Sequence, residues 1–421
     1  MKAIIIFNCV ISVIFTLCYA YQFFYIFVGL LKKPLTFIAK RRHRFAVVIS
    51  ARNESGVIGN LIQSIRAQKY PSELVDVFVV ADNCTDNTAQ VARDAGAIVY
   101  ERFNREQVGK GYALDWMFKI IEEKHADKNY EGYIIFDADN VLDENYIEEM
   151  NKVFDNGYRI ITSYRNSKNY DTNWITAGYS LWFLREARYL NNARMQLHTS
   201  CAISGTGFLV SAEVIRENDG WIHHLLTEDI EFTTDSIIHG EKIGYCAKAI
   251  LYDEQPTTLK QSYTQRLRWA KGFYQVFSNY GGKLFKGILK GSFSCYDMLM
   301  TIMPAMLLTL CSIAINAVAI PVGLINHSPE LPTLIVTLLQ TIGNFYAMFF
   351  LLGVITTITE WDQIHCSKPK KILYLFTFPL FMLTYVPIAV IALFRKIEWK
   401  PINHSVSKSV SEICGHAEVS E

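Results

Sequence analysis

Tyr133-Ile134-Ile135-Phe136-Asp137-Ala138-Asp139 is a continuous apolar run that ends in two carboxylates. A short run of this kind is typical of a buried strand in a parallel sheet. Asp137 and Asp139 are two positions apart, so an extended chain would direct both to one face. Carboxylate oxygens favour Mg²⁺ or Mn²⁺ over zinc. The stretch therefore predicts a strand whose end can hold a metal, although helix capping would also explain the two residues.

Three similar runs precede this one, over Phe45–Ser50, Val75–Val80 and Ala97–Tyr100. Amphipathic helices are predicted between them, over Gly56–Gln68 and Thr85–Ala95. Strands that alternate with helices indicate an α/β domain with a parallel sheet and crossover connections.

Polar residues stand directly after these runs, at the strand ends where ligands of such sheets bind. Ala51-Arg52-Asn53-Glu54 follows the first run and Asp82 follows the second. Farther along, Lys110 lies between Gly109 and Gly111, ahead of a helix predicted over Tyr112–Ile121. The glycines would let the backbone approach a phosphate that the lysine could contact, whereas a solvated loop lysine is the simpler alternative.

Two later motifs carry further candidate chemistry. In Thr227-Glu228-Asp229, Asp229 could act as a general base toward a hydroxyl, or the motif could simply cap a helix. In Gln265-Arg266-Leu267-Arg268-Trp269, Gln265, Arg268 and Trp269 share a helix face. Arginines there could bind phosphate and the indole could stack on a sugar, while an interfacial helix with snorkelling arginines remains an alternative.

Apolar stretches long enough to span a bilayer flank this domain. Ala3–Leu31 predicts an uncleaved anchor, and the basic residues between Lys32 and Arg44 place the N-terminus outside and the next domain in the cytosol. Met298–Ile325, Leu334–Ile358 and Ile372–Phe394 predict three more spans. Three crossings would put the basic tail outside, against the same tendency, so one stretch lies in the interface or re-enters, or the tendency fails here.

Composition agrees with a chain that is partly soluble and partly membrane-embedded. The 421 residues are 51% hydrophobic and 19% charged, and the net charge of +1 gives no reason to expect a nucleic acid partner. The nine cysteines include no C-x-x-C pair and suit a reducing cytosol. We predict five segments: an anchor (1–33), a catalytic domain (44–259), interfacial helices (260–296), about three membrane helices (297–395) and a polar tail (396–421).

With these motifs in their order, the sequence resembles the membrane-bound family 2 glycosyltransferases, and within them the processive synthases of cellulose, hyaluronan and poly-N-acetylglucosamine. The resemblance rests on Ala51–Glu54, Asp82, Lys110-Gly111, Asp137 with Asp139, Gly205-Thr206-Gly207, Thr227–Asp229 and Gln265–Trp269. It implies a Rossmann-like GT-A fold in the cytosol, plus transmembrane helices, in a multi-pass protein of the plasma membrane.

The resemblance also implies roles. Ala51–Glu54, Asp82, Lys110, Asp137, Gln265, Arg266 and Arg268 would bind a nucleotide sugar, usually a UDP-sugar. Asp139 would hold Mg²⁺ or Mn²⁺. Asp229 would be the base, with Glu228 beside it, in an inverting transfer. Gly205, Thr206, Gly207 and Trp269 would contact the acceptor.

The expected function is extension of a β-linked polysaccharide, and coupling to export through accessory subunits is a further expectation. Two alternatives stay open: addition of a single sugar to a lipid-linked acceptor, and a transporter or scaffold with a degenerate transferase domain. Asn316, Gln340, Asn344 and Thr356 are polar residues in the spans that would favour a path for a polymer. All expected catalytic positions are filled, which argues against the scaffold.

Overall fold

The computed structural model describes residues 1–398, 402 and 404–415, except for the side chains of 304–306. The strands are β1 (Phe45–Ala51), β2 (Val75–Asp82), β3 (Ile98–Arg102), β4 (Gly132–Asp137), β5 (Val141–Leu142), β6 (Ile160–Ser167), β7 (Phe208–Ser211) and β8 (Ile243–Asp253). The helices up to β8 are α1 (Lys2–Leu31), α2 (Ile58–Arg66), α3 (Thr88–Asp94), α4 (Lys110–Lys124), α5 (Tyr146–Asp155), α6 (Trp174–Arg185), α7 (Asn192–Gln196), α8 (Ala212–Glu217) and α9 (Glu228–Ile238). After β8 come α10 (Leu259–Leu289), α11 (Phe293–Ile302), α12 (Pro304–Ile325), α13 (Leu331–Thr359), α14 (Lys368–Leu383), α15 (Tyr385–Phe394) and α16 (Val410–Gly415).

The strands form one sheet in the order β3-β2-β1-β4-β7-β6-β8-β5. The four runs predicted from the sequence are β1 to β4, and they pair in parallel as expected. The sheet as a whole is mixed, because β7 is antiparallel to both β4 and β6 and β5 is antiparallel to β8. Both faces of the parallel half are covered, so Phe45 to Ile49 of β1 are fully buried.

In the part of the chain that the structure describes, four helical stretches are long and apolar enough to cross a membrane: α1, α11 with α12, α13, and α14 with α15. The fourth differs in its surroundings. In its most apolar window 33% of the residues are buried in protein, against 6–17% in the other three.

Both ends of the α14–α15 stretch are bonded to the domain that carries the sheet or to α10, which follows it. Near its start, Lys370 Nζ donates to Asp171 O (2.9 Å), in the loop before α6. Near its end, Lys271 Nζ on α10 donates to Ala392 O (3.1 Å). The stretch therefore runs alongside α6 and α10 and returns its end to the domain.

Candidate active site

The carboxyl ends of β1, β2 and β4 open into a cavity of about 1180 Å³. Most of the predicted site residues line it together: Arg52, Glu54, Asp82, Lys110, Asp137, Asp139, Gly205, Glu228, Asp229, Gln265, Arg266, Arg268 and Trp269. Ala51, Asn53, Thr206 and Gly207 do not line it. The cavity continues from this polar end along α1, α12 and α13.

The predicted residues that lie behind the lining hold its loops in place. Ala51 is buried at the end of β1, and Asn53 Oδ1 accepts a hydrogen bond from Thr85 N (2.8 Å). Thr206 Oγ1 accepts from Asp137 N (2.8 Å) and so ties the Gly205–Gly207 loop to the end of β4. Asp82, which does line the cavity, forms a buried ion pair with Arg102 (2.6 Å).

Lys110 joins three parts of the site. Its Nζ donates to Asp137 Oδ1 and to Gly205 O (2.8 Å for the second). Burial lowers the pKa of Lys110, but the charges of Asp137 and Glu228 outweigh burial and raise it, so the ammonium stays charged. The cation thus lies in the lining of the cavity, paired with Asp137.

Gly111, beside Lys110, is required for a different reason from the expected one. A Cβ on Gly111 would lie 2.1 Å from His223 O, so the glycine is required where α4 meets the segment before α9. The sequence pattern predicts that the glycines admit a phosphate, whereas the close neighbour of Gly111 in the structure is protein backbone. The contact fixes Lys110 relative to Glu228 and Asp229.

Glu228 and Asp229 form the first turn of α9. Thr227 makes no capping hydrogen bond there, so the simple capping explanation of the motif finds no support. Asp229 Oδ2 accepts from Gly205 N (2.7 Å), which orients it into the cavity. Burial raises the pKa of both carboxyls, and the charge of Asp229 raises that of Glu228 further. A carboxylate with a raised pKa is a better proton acceptor.

Helix α10 packs closely against the Thr227–Asp229 motif. A Cβ on Gly272 would lie 2.4 Å from Thr227 Oγ1, so only glycine permits the approach. One and two turns earlier on the helix, Arg268 Nε and Gln265 Oε1 are buried without a hydrogen-bond partner among the described residues. Such atoms are suited to a bound ligand.

Arg266 points elsewhere on the same helix. Its Nη1 donates to Phe381 O (3.1 Å) and to Thr384 Oγ1 (2.9 Å), at the break between α14 and α15. Trp269 meets Tyr179 edge-on at 5.8 Å between ring centroids. The predicted donor role of Arg266 and acceptor role of Trp269 stay predictions.

Two residues that sequence reasoning missed complete the acidic end. Asp139 Oδ2 accepts from Glu254 N (3.0 Å) and lies 3.9 Å from Nε2 of His404. His404 Nδ1 lies 2.9 Å from Glu54 Oε1. Burial lowers the pKa of His404, but Asp139 and Glu54 outweigh burial and raise it to about 10. The tail, predicted only as polar, thus places a cation over the end of β4.

The donor chemistry at this point fits a divalent cation. Asp139 and Glu54 offer carboxylate oxygens, and His404 offers an imidazole nitrogen once it loses its proton. No group of three or more His, Cys, Asp and Glu side chains forms a ready-made metal cluster within residues 1–398, 402 and 404–415. His404 is protonated at neutral pH and lies beside Glu54 and Asp139, so it would bind a metal only after losing that proton.

Comparison with known proteins places this arrangement in context. The sequence profile described as "Glycosyltransferase like family 2" matches residues 43–272, more than half of the chain. The chain is 25% identical over 235 residues to a beta-monoglucosyldiacylglycerol synthase of Synechocystis sp., covering 56% of this chain and 48% of that protein. It is 23% identical over 258 residues to a poly-beta-1,6-N-acetyl-D-glucosamine synthase of Staphylococcus epidermidis, covering 58% and 60%. The matches thus span about half to three fifths of these relatives.

Among solved structures, a mannosyltransferase of Pyrobaculum calidifontis in complex with GDP-Man and Mn²⁺ has a TM-score of 0.57 at 16% identity. The match covers 91% of this chain and 98% of that one, and it shows a shared fold. The expected GT-A fold is thereby confirmed. The chain belongs to glycosyltransferase family 2, and it is a GT-A glycosyltransferase with four candidate membrane-spanning helices among its described residues.

Proposed function

We propose that this enzyme transfers a single sugar from a nucleotide sugar to a hydroxyl of a membrane lipid, with inversion at the anomeric carbon. The observation that carries the proposal is the course of the cavity, which runs from Asp229 into the membrane helices. Its wall there is largely apolar, with Ile11, Phe15, Ile320 and Phe345 among the lining residues. Acyl chains suit such a wall, because apolar surface gains free energy by excluding water.

The polar residues that favoured a polymer path are used otherwise. Asn316 lines the cavity, but its amide is paired with that of Asn8 (3.0 and 2.9 Å). The Thr356 hydroxyl donates to Leu352 O within its own helix. Gln340 and Asn344 are exposed and do not line the cavity. A hydrated glycan chain would therefore meet few free hydrogen-bonding groups along the spans, and the lipid alternative is the better fit.

The residues at the polar end of the cavity have different roles in the transfer. Lys110, Arg268 and Gln265 contact the donor's diphosphate, and Asp82 faces the nucleoside. Asp229 takes the proton of the acceptor hydroxyl. A bond forms between the hydroxyl oxygen and the anomeric carbon, while the bond from that carbon to the diphosphate oxygen breaks. Attack opposite the leaving group inverts the configuration, and no second nucleophilic carboxylate is required.

A divalent cation, Mg²⁺ or Mn²⁺, would be held by Asp139 with His404. When bound, it would neutralise charge on the diphosphate. Lys110, which is paired with Asp137, supplies a further positive charge for the diphosphate.

The test uses the purified protein in detergent with Mn²⁺ and a panel of UDP- and GDP-sugars. Nucleotide release is measured with diacylglycerol or phospholipid acceptors and, separately, with oligosaccharides. Stimulation by lipids alone supports the proposal. Stimulation by oligosaccharides alone, with products that lengthen over time, would establish a polysaccharide synthase instead.

Trp269→Ala is expected to raise the KM for the acceptor while hydrolysis of the donor by water persists. The reason is that the indole lines the cavity beside Tyr179 and Phe183, where an acceptor must pass. Nucleotide release with and without acceptor separates the two reactions. Trp361→Ala is the control, because Trp361 does not line the cavity. If Trp269→Ala instead lowers both reactions equally and reduces the melting temperature, the residue merely anchors α10.

The contacts of α14–α15 also support a topology. We infer that α1, α12 and α13 cross the membrane and that α14–α15 lies in the cytosolic interface. The tail then ends on the cytosolic side, where Ser405 and Val406 donate backbone N–H bonds to the Glu254 carboxylate. This arrangement removes the conflict between three late crossings and a basic tail.

Cysteine labelling of intact cells checks this topology. Lys128→Cys and Ser411→Cys are expected to escape an impermeant maleimide, whereas Asn326→Cys is expected to react. All three positions are exposed in the folded chain. Wild-type protein gives the background from its native cysteines. Reaction of the Ser411→Cys variant in intact cells would show that α14–α15 crosses.

A further inference from the structure

Arg185 is a buried cation in the wall of the same cavity. It ends α6, immediately before a turn of π-helix over Glu186–Asn191, a local geometry often found at functional sites. Its side chain is only 6% exposed and lines the cavity. One Nη donates to Gln22 Oε1 on α1 (2.7 Å), and the guanidinium lies over the Trp182 ring at 4.8 Å.

No carboxylate forms an ion pair with this guanidinium among the described residues. Its Nε is buried without a hydrogen-bond partner, and Arg185 forms no ion pair. Its neighbours differ: Arg165 is paired with Asp253, and Arg194 is paired with Asp297 (2.7 Å). A buried charge without a counterion is unfavourable, so an anion from outside the chain would be stabilised here.

The adjacent acid is not paired with this guanidinium. Glu186 forms no ion pair with Arg185, although its charge raises the pKa of Arg185, and burial raises the pKa of the Glu186 carboxyl. Burial also lowers the pKa of Arg185 to about 10, which still leaves the guanidinium charged at neutral pH.

The position of Arg185 relates it to both ends of the cavity. Toward the catalytic end, Ser204 hydrogen-bonds Glu186, and the next residue, Gly205, donates to Asp229. Toward the membrane, Gln22 lies on the helix that carries Asn8 deep in the apolar part. At a rise of 1.5 Å per residue these two positions on α1 are about 20 Å apart, roughly the length of an acyl chain. Arg185 thus stands at the level where a lipid headgroup would lie.

Building on the proposed lipid acceptor, we propose that Arg185 binds the phosphate of an anionic phospholipid whose headgroup also carries a free hydroxyl. The phosphate and the hydroxyl of this lipid would contact different residues. The phosphate pairs with the unneutralised guanidinium. The hydroxyl is needed because Asp229 is built to accept a proton, and a phosphate oxygen that is already ionised would not require a base.

The reaction balances on these groups. The headgroup hydroxyl oxygen bonds to the anomeric carbon, its proton passes to Asp229, and the nucleoside diphosphate leaves. The phosphodiester of the lipid is unchanged and stays at Arg185. The product is a phospholipid that bears one sugar.

A matched pair of acceptors tests this inference: phosphatidylglycerol and diacylglycerol with the same acyl chains, presented to the full-length protein in mixed micelles. The wild-type enzyme is expected to prefer phosphatidylglycerol in kcat/KM by at least about tenfold. Arg185→Gln is expected to lower kcat/KM for phosphatidylglycerol by about ten- to a hundredfold, the range for a lost charged hydrogen bond, and so to remove the preference. Arg185→Lys should restore part of it.

Arg188→Gln is the control variant, because Arg188 lies near Glu360 and does not line the cavity. It is expected to keep the preference. Affinity for UDP, measured by calorimetry, shows that each variant is folded and that the donor's diphosphate is not the anion in question. A loss of UDP affinity in Arg185→Gln as large as the loss with phosphatidylglycerol would overturn the inference.

Other outcomes separate the two proposals. Transfer to diacylglycerol that equals transfer to phosphatidylglycerol would overturn the phosphate site but keep the lipid acceptor. Transfer to oligosaccharides alone would overturn both. Inhibition by inorganic phosphate at the concentrations at which phosphatidylglycerol saturates would show that the site serves a free anion, which also contradicts the inference.

Discussion

Asp229→Asn is expected to reduce the rate of sugar transfer by about 10²–10⁴ while the affinity for the nucleotide changes little. The amide cannot accept the proton of the acceptor hydroxyl. It can still accept the hydrogen bond from Gly205 N that orients the wild-type carboxylate (2.7 Å). Initial rates with the best donor, together with calorimetric titration of UDP, provide the measurement. Near-normal turnover in a folded variant would remove Asp229 from the role of base.

The neighbouring carboxyl gives a matched control for this substitution. Glu228 shares the first turn of α9, but no backbone N–H holds it toward Gly205 as one holds Asp229. Glu228→Gln is therefore expected to retain more activity than Asp229→Asn. The reverse order would exchange the two roles.

The thermal stability of Asp229→Asn should change in the opposite direction from its activity. Because burial raises the pKa of Asp229 in the folded state, that state binds the proton more tightly than the unfolded chain. The carboxyl therefore costs stability at pH values above its folded pKa, and that cost fades as the pH falls toward the ordinary carboxyl range. At neutral pH, Asp229→Asn should thus melt at a temperature equal to or higher than that of the wild type. In the wild type, kcat/KM should rise with pH through the raised pKa.

Asp139→Ala is expected to abolish the metal-dependent part of nucleotide binding. Its carboxylate is buried at the end of β4, with Glu254 N as donor and His404 3.9 Å away. Loss of one carboxylate from a hard-cation site removes an oxygen ligand that neighbouring residues do not replace. Calorimetric titration of UDP with and without Mn²⁺ gives the readout. Unchanged metal-dependent affinity in Asp139→Ala would show that the cation is held elsewhere.

Two further variants test whether the effect of Asp139→Ala is specific to the metal site. His404→Ala is expected to weaken metal-dependent binding less than Asp139→Ala, because an imidazole is the weaker partner of a hard cation. Asp94→Ala is the remote control, since its exposed carboxylate accepts a hydrogen bond from Gln90 on the same helix and does not line the cavity. An effect in Asp94→Ala equal to that in Asp139→Ala would indicate general loss of fold.

The parallel half of the sheet was predictable because its strands are buried on both faces. Four apolar runs separated by amphipathic helices became β1 to β4, with α2 and α3 inside the predicted ranges. The polar residues after them converge because parallel strands end at one edge. The antiparallel part gave no such signal, since β7 has four residues and β5 has two. Strands that short show no period that distinguishes them from loops.

The missed site residues depend on contacts between distant parts of the chain. His404 stands 350 positions from Glu54, in a tail whose polar composition carries no periodic pattern. Arg185 is the last residue of an apolar helix and differs from Arg165 and Arg194 in lacking an ion-paired carboxylate. That difference appears only when packing places Asp253 on Arg165 and Asp297 on Arg194. The break in the last apolar stretch, held by Arg266, likewise required the tertiary structure.

The mass of the product made from one labelled donor tests the proposed function most directly. Membranes containing the enzyme are incubated with the nucleotide sugar that supports the fastest nucleotide release. The labelled product is then extracted and its mass is measured by mass spectrometry. A product that partitions into the organic phase and carries one sugar on a lipid is the predicted result. A water-soluble series of products that differ by successive sugar units would contradict it.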